Sequence, residues 1–316
     1  MEIFSEKQKG KVKIHQQKYD YYAEFMSYQT TIDHHQMQTI IKEIVWQKKL
    51  EVAQMQQDMS WASLQRQLSA APTVRDFFTA LQLSIYKPSL IAEVKKASLY
   101  HSVIRPDFDP VTIAQAYKRG GASCVSVFTD QKFFHGGFDH LRAIRYRVGI
   151  PLLCKDFIID PCQIYLARSA GADAISLIAA ILTDKQLQNF LRVIHYLGMN
   201  AVIQVHNLND LDRVLALEDV RIVSINNQSL GDFSININTT QELLAVRRSQ
   251  LQNLGILVIS ESGIETPDDL SFVAECGVQT VIIGESLLKE NDLELAVRNL
   301  LQSKFPIHYA EGLKIG

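Results

Sequence analysis

PLLCKDFIIDPCQIYLARSAGADAISLIAAILTDKQLQNFLRVIHYLGMNAVIQV (151–205) decides the fold. Three short apolar runs, PLLCK (151–155), DAISLI (173–178) and NAVIQV (200–205), alternate with two longer stretches of helical character. One opens with Asp160-Pro161 and the other with Thr183-Asp184, and each runs out into Gly, at Gly171 and Gly198. These are helix start and stop signals. Strands this continuously apolar suit a parallel sheet covered on both faces. The same alternation extends outward. SLIAEV (89–94) and SCVSVFT (123–129) precede the stretch, and VRIVSIN (220–226), ILVISE (256–261) and QTVIIG (279–284) follow it. Helical text such as DPVTIAQAYKRGGA, NTTQELLAVRR and TPDDLSFVAECG separates them. Eight strands alternating with eight helices predict an α/β fold, a (β/α)8 TIM barrel. An open doubly wound sheet is the competitor, but no G-x-G-x-x-G follows the first strand.

The predicted barrel spans 84–303. Residues 36–83 form a helical extension that caps it, with an amphipathic helix from Ile40 to about Met59, then a turn and a shorter helix from Asp76 to Leu83. Residues 1–35 are a polar arm, and 304–316 are a tail.

Composition narrows the classes. The chain has 316 residues, 47% hydrophobic, which is too apolar for a disordered chain. Lys and Arg number 32 against 34 Asp and Glu, a formal net charge of −2, so no nucleic-acid partner is expected. No apolar run reaches the ~20 residues of a membrane span, and the N-terminal text lacks the apolar core of a secretory signal. Four scattered cysteines without C-x-x-C spacing fit a reduced cytoplasm.

A barrel places its chemistry where strands end. In order, those ends carry Glu93 and Lys95, Thr129 and Asp130, Lys155, Ile178, Gln204, Asn226, Glu261 with Ser262 and Gly263, and Gly284 with Glu285. Glu93 and Lys95 are two apart on one strand and share a face. Either lysine alone reads as a solvated loop residue. Lys155 facing Glu93 and Glu261 reads instead as a lysine held protonated, as a general acid must be. SESGI and IGESL after the last two strands are plain turns by themselves; together they match the phosphate-gripping loops of barrels. Phe133 and Phe134 serve either as a loop anchor or as the wall of an aromatic site. His34 and His35 lie in the polar arm without companion ligands, and His101 and His206 lie near the mouth without a nameable partner, so no metal is expected.

IAEVKKAS, RPDFDP, TDQKFFHGG, LLCKDFIIDPCQIYLAR, INN, SESGI and IGESL, in this order at the predicted strand ends, resemble the indole-3-glycerol phosphate synthase family. The resemblance covers about Ile40 to Leu301. It implies a cofactor-free, decarboxylating, ring-closing lyase. Lys155 would be the general acid, Lys95 would contact phosphate and help polarise the carbonyl, and Glu93 and Glu261 would position charge and accept protons. Ser98 and Asn226 would orient substrate, and Ser262, Gly263, Gly284 and Glu285 would frame phosphate.

Three departures accompany it. The family's V-E-V-H is VIQVH here, so Gln204 stands where a glutamate base is usual. I-N-N-R is INNQ, and Gln228 replaces an arginine clamp on the substrate carboxylate. S-P-S is Ser98-Leu99-Tyr100. With the lysines retained and the pocket changed, the resemblance implies a specialised paralogue. Such a member, like the cyclase of cyanobacterial scytonemin biosynthesis, would close a ring on an indole-bearing β-keto acid. IIKEIVWQKKLEVAQMQQ and LLCKDF resemble cyanobacterial members. The alternatives are a synthase of tryptophan biosynthesis, a non-catalytic binder of phosphate ligands, and a Schiff-base aldolase. The expected partner is a small aromatic keto acid or sugar phosphate, with the oligomeric state open.

Overall fold

Eight runs of β-branched and other apolar residues pair side by side, all parallel, and close on themselves: β1 (Ser89–Val94), β2 (Cys124–Phe128), β3 (Leu152–Lys155), β4 (Ala174–Ile178), β5 (Asn200–Val205), β6 (Ile222–Asn226), β7 (Leu257–Glu261) and β8 (Thr280–Ile283). β1 hydrogen-bonds to β8, so the sheet has no free edge. The computed structural model describes residues 39–98 and 103–302. The arm at 1–35, the tail at 304–316, Leu99, Tyr100, His101, His34 and His35 lie outside the described residues. The outer helices are α4 (Pro110–Gly120), α5 (Phe138–Arg145), α6 (Pro161–Ser169), α7 (Asp184–Tyr196), α8 (Leu208–Leu215), α9 (Asn238–Asn253), α10 (Pro267–Glu275), α11 (Glu285–Leu288) and α12 (Leu293–Gln302).

Their starts follow the side-chain chemistry. Asp109, Asp160 and Thr266 cap α4, α6 and α10, each just before a proline whose missing N–H costs nothing there. Thr183 and Gln186 cap α7 reciprocally.

Three helices precede the barrel: α1 (Thr39–Asp58), α2 (Trp61–Ser69) and α3 (Phe77–Gln82). α2 corrects the sequence reading, which made the residues after Trp61 a turn. Ser60 accepts from Ser63 N at 3.2 Å and starts a helix whose Leu64 is buried. No proline follows Ser60 and no glycine follows Ser69, so the sequence carries only the serine to mark this helix.

α3 is the floor. Its fully buried Phe77 and Leu81 pack into one cluster with Ile91, Cys124, Leu153, Val202 and Ile222, residues near the beginnings of their strands. Beside it, Asp173 accepts from Arg75 N at 2.6 Å, Leu152 N at 2.9 Å and the Arg145 guanidinium at 2.7 Å. One end of the barrel is thus filled with hydrocarbon and a satisfied ion pair, which leaves the strand C-terminal ends for chemistry. Phe77→Ala should cost about 3–5 kcal/mol, as full-size cavities in packed cores do. Urea unfolding measures it; a loss under about 1 kcal/mol would mean that the floor collapses to fill the space.

Candidate active site

The inward-facing ends of β1, β3 and β7 converge on one ammonium group. Lys155 Nζ lies 2.5 Å from Glu261 Oε2 and 3.1 Å from Glu93 Oε2. On its far side Glu93 Oε1 meets Lys95 Nζ at 3.2 Å, so two lysines and two carboxylates form a chain across the mouth. The Lys155 ammonium also stands 5.5 Å from the centre of the Phe128 ring.

Burial sets the electrostatics. It pulls the Lys155 pKa down, but Glu261 and Glu93 outweigh it and leave the value raised. Burial pushes Glu93 up, and the facing Lys155 and Lys95 outweigh that, so it stays an anion. Glu261 is 2% exposed, yet its Oε1 has no hydrogen-bond partner among the described residues. An orphan acceptor in a buried site is costly unless a ligand or proton arrives to meet it.

Glycine makes room for this chain. A Cβ on Gly284 would stand 2.7 Å from Glu93 Oε1 and 2.9 Å from Glu93 Cβ. Only a residue without a side chain lets the end of β8 approach so closely. Gly263 turns at φ 74°, and a Cβ there would meet Ile235 Cγ2 at 2.6 Å.

The remaining sequence candidates surround this chain of charges. Asn226, paired in register with Glu261, accepts from Ser262 Oγ at 2.8 Å and from Gln228 N at 2.9 Å, which ties the ends of β6 and β7 together. Phe134 is buried and stacks on Phe128 at 4.1 Å, while half-buried Phe133 has Lys132 Nζ 5.4 Å from its ring centre. Asp130 Oδ1 accepts from the backbone N–H groups of both, at 2.7 and 3.2 Å. Ser98 is half-buried after β1, and the neighbouring Ala97 N donates to Phe134 O at 3.3 Å, linking the first two loops. Two residues have side chains occupied elsewhere. Gln228 donates its amide to Phe233 O at 3.1 Å, inside its own loop, and Glu285 pairs with Lys289 at 2.8 Å.

Gln204, 4% exposed on β5, lies 2.9 Å from His206 Nε2. His206 Nδ1 is buried without a partner among the described residues. Burial, with the charge of Lys155, lowers the imidazole pKa to about 4, so the ring is neutral at pH 7.

Sequence reasoning missed Lys48 and Asp156. Lys48, on α1, is 1% exposed and reaches Asp130 at 2.7 Å and Asp156 at 2.9 Å. The available signal was a lysine in register with the apolar Ile44 and Val52. Among the described residues no cluster of His, Cys, Asp and Glu is arranged to hold a metal, and no helix is long and apolar enough to cross a membrane.

Fold and site define a (β/α)8-barrel enzyme whose mouth carries a charged lysine between two carboxylates. Residues 41–300 match the family model described as indole-3-glycerol phosphate synthase, and the chain belongs to that family of carbon–carbon lyases. It is 51% identical over 275 residues to the indole-3-glycerol phosphate synthase of Rippkaea orientalis, covering 87% of this chain and 94% of that protein. To that of Crocosphaera subtropica it is 50% identical, covering 88% and 95%. To the chloroplastic enzyme of Arabidopsis thaliana it is 44% identical, covering 83% and 66%.

His206 provides a pH test of this geometry. The unfolded chain takes up its proton near pH 6.5 and the folded chain only near 4, so stability falls as pH drops through that window. His206→Asn should flatten this dependence by about 1–3 kcal/mol, read from urea unfolding at several pH values. An unchanged slope would mean that the ring is not held neutral.

Proposed function

We propose that the chain catalyses the decarboxylating ring closure of an anilino ketose phosphate to an indole glycerol phosphate. The observation that carries this reading is Lys155 held charged between Glu93 and Glu261. Lys155 gives its proton to the ketone oxygen as the aryl carbon bearing the carboxylate attacks the ketone carbon. A C–C bond forms, and the ketone oxygen becomes a hydroxyl. CO2 then leaves, and the electrons of its C–C bond return to the ring. Finally the hydroxyl departs as water, taking a second proton from Lys95, while a carboxylate removes a proton from the adjoining carbon. Glu261 Oε1, lacking a partner among the described residues, suits that last task. Lys95, Ser98 and Asn226 would hold and orient the substrate, with phosphate against the backbone after β7 and β8, at Ser262, Gly263, Gly284 and Glu285. Phe133 and Phe134 would border the arene. A Schiff base on Lys155 is disfavoured, because that chemistry needs a neutral amine.

A second reading rests on Gln204 and Gln228. Neither amide can serve as a base or as a charged clamp, which favours a paralogue acting on an indole-bearing β-keto acid of the scytonemin type. The names of the relatives support the first reading, since all of those cited are synthases and none points to a sunscreen pathway. A reduced, cytoplasmic setting agrees with four free cysteines.

Assay of the purified protein against both substrates separates the readings. Under the first, the unmodified protein turns over the anthranilate-derived phosphate and rescues a tryptophan auxotroph. Turnover of the β-keto acid alone would establish the second. In either case Lys155→Ala should lower kcat by about 10²–10⁴-fold, and unchanged turnover would remove Lys155 from the mechanism. Under the first reading, Gln204→Glu with Gln228→Arg should raise synthase activity by about 10-fold or more, since a base and a clamp are restored. A fall would show that the amides are adapted to another substrate.

A further inference from the structure

We propose that Lys48, outside the barrel and remote in sequence from the mouth, is a positioning residue for Lys155. The inference rests on Lys155 being the proton donor. Lys48 Nζ is buried and touches three carboxylates: Glu51 of its own helix at 2.7 Å, Asp130 at 2.7 Å and Asp156 at 2.9 Å. The two aspartates occupy telling places. Asp156 directly follows Lys155 in the chain and receives Thr129 Oγ1 at 2.6 Å and Phe157 N at 2.7 Å. Asp130 follows Thr129, whose backbone N–H donates to Lys155 O at 3.0 Å. Asp130 also shapes the loop that lays Phe134 on Phe128, the ring beneath the Lys155 ammonium.

One cation therefore clips the ends of β2 and β3 together, immediately behind the acid. A hydrophobic side chain would fill this space at lower desolvation cost, so packing alone does not account for a buried lysine. What the charge supplies is direction: two carboxylates fixed at bonding distance from one point. Lys155 has to reach Glu261 and Glu93 at once, and an error near 1 Å in such a group costs on the order of 10²-fold in rate.

The groups facing Lys48 also set a charge effect. Glu51, Asp130 and Asp156 surround it, and buried Cys154 lies within reach of its field. Lys155 in turn faces Glu93, Glu261 and neutral His206, with Lys95 behind Glu93. Loss of the Lys48 charge leaves Asp130 and Asp156 uncompensated beside Lys155, which raises its pKa further and makes it a weaker acid.

The test compares Lys48→Met, Lys48→Arg and Lys48→Met with Asp156→Asn, using thermal unfolding, kcat, KM and pH–rate profiles. Lys48→Met should fold with a lowered Tm. Its kcat should fall about 10- to 100-fold with KM within about 3-fold, and its alkaline limb should move to higher pH. Lys48→Arg should recover most of the rate. If Lys48→Met does not fold, the double variant, which buries fewer unpaired charges, is read in the same way. A folded variant with kcat within about 2-fold of the parent and an unmoved limb overturns the proposal. Competitive labelling of Lys155 with acetic anhydride across pH, read by mass spectrometry, needs no substrate. If the parent turns over neither substrate, the proposed function fails. Positioning then stands or falls on whether Lys48→Met raises the labelling pKa of Lys155.

Discussion

An ammonium group inside the end of an oily barrel is the constraint on which this site depends. Lys155 sits where strands of leucine, isoleucine and valine end, and a lone charge there would lose its proton rather than stay. Glu261 and Glu93 prevent that, and Lys95 prevents Glu93 from becoming an uncompensated anion in its turn. Removal of any one member leaves a charge without its partner in a low-dielectric place, where breaking a pair costs far more than replacing it whole. The four groups therefore stand together as a unit. Gly284 belongs to that unit although it has no chemistry, because a methyl group there would occupy the place of the Glu93 carboxylate.

The fold was legible because the strands are apolar runs too short for helices, and several of the helices between them open on a capping residue. Asp109-Pro110, Asp160-Pro161 and Thr266-Pro267 each mark the start of a helix where the structure has one. Strand ends then gave the mouth, and with it the placing of Glu93, Lys95, Lys155 and Glu261 on one surface. What remained hidden depends on pairings across long stretches of chain. Lys48 and Asp156 are far apart in sequence, and a lysine on a helix reads as solvent-facing unless its carboxylate partners are known. The engagement of the Gln228 amide with Phe233 O was equally invisible, because a side chain can fold back on its own loop without any periodic trace. α2 escaped for a simpler reason: its serine cap lacks the proline that marks α4, α6 and α10, and no glycine closes it.

The two glutamines enter differently. Gln204 is inside the mouth on β5, within the field that Lys155 imposes on His206. Gln228 lies on the loop after β6 and holds that loop together. Where the family resemblance implies a carboxylate, Gln204 leaves the mouth one negative charge fewer. An arginine at 228 would change both the charge and the bracing of the loop, because it could not make the amide contact to Phe233 O with the same geometry.

Charge arithmetic within the mouth connects these points. Among Glu93, Lys95, Lys155, Gln204, His206 and Glu261, two cations balance two anions, and the other two side chains are neutral at pH 7. A glutamate at 204 would add an unbalanced anion beside Lys155, raising its pKa and repelling an anionic substrate, in exchange for a base. Glutamine gives up the base and keeps the surroundings less negative. The exchange is tolerable only if the final proton has another acceptor. Under the proposed function Glu261, whose second oxygen is buried without a partner among the described residues, would receive it once Lys155 had given its proton away and no longer held that carboxylate as an ion pair.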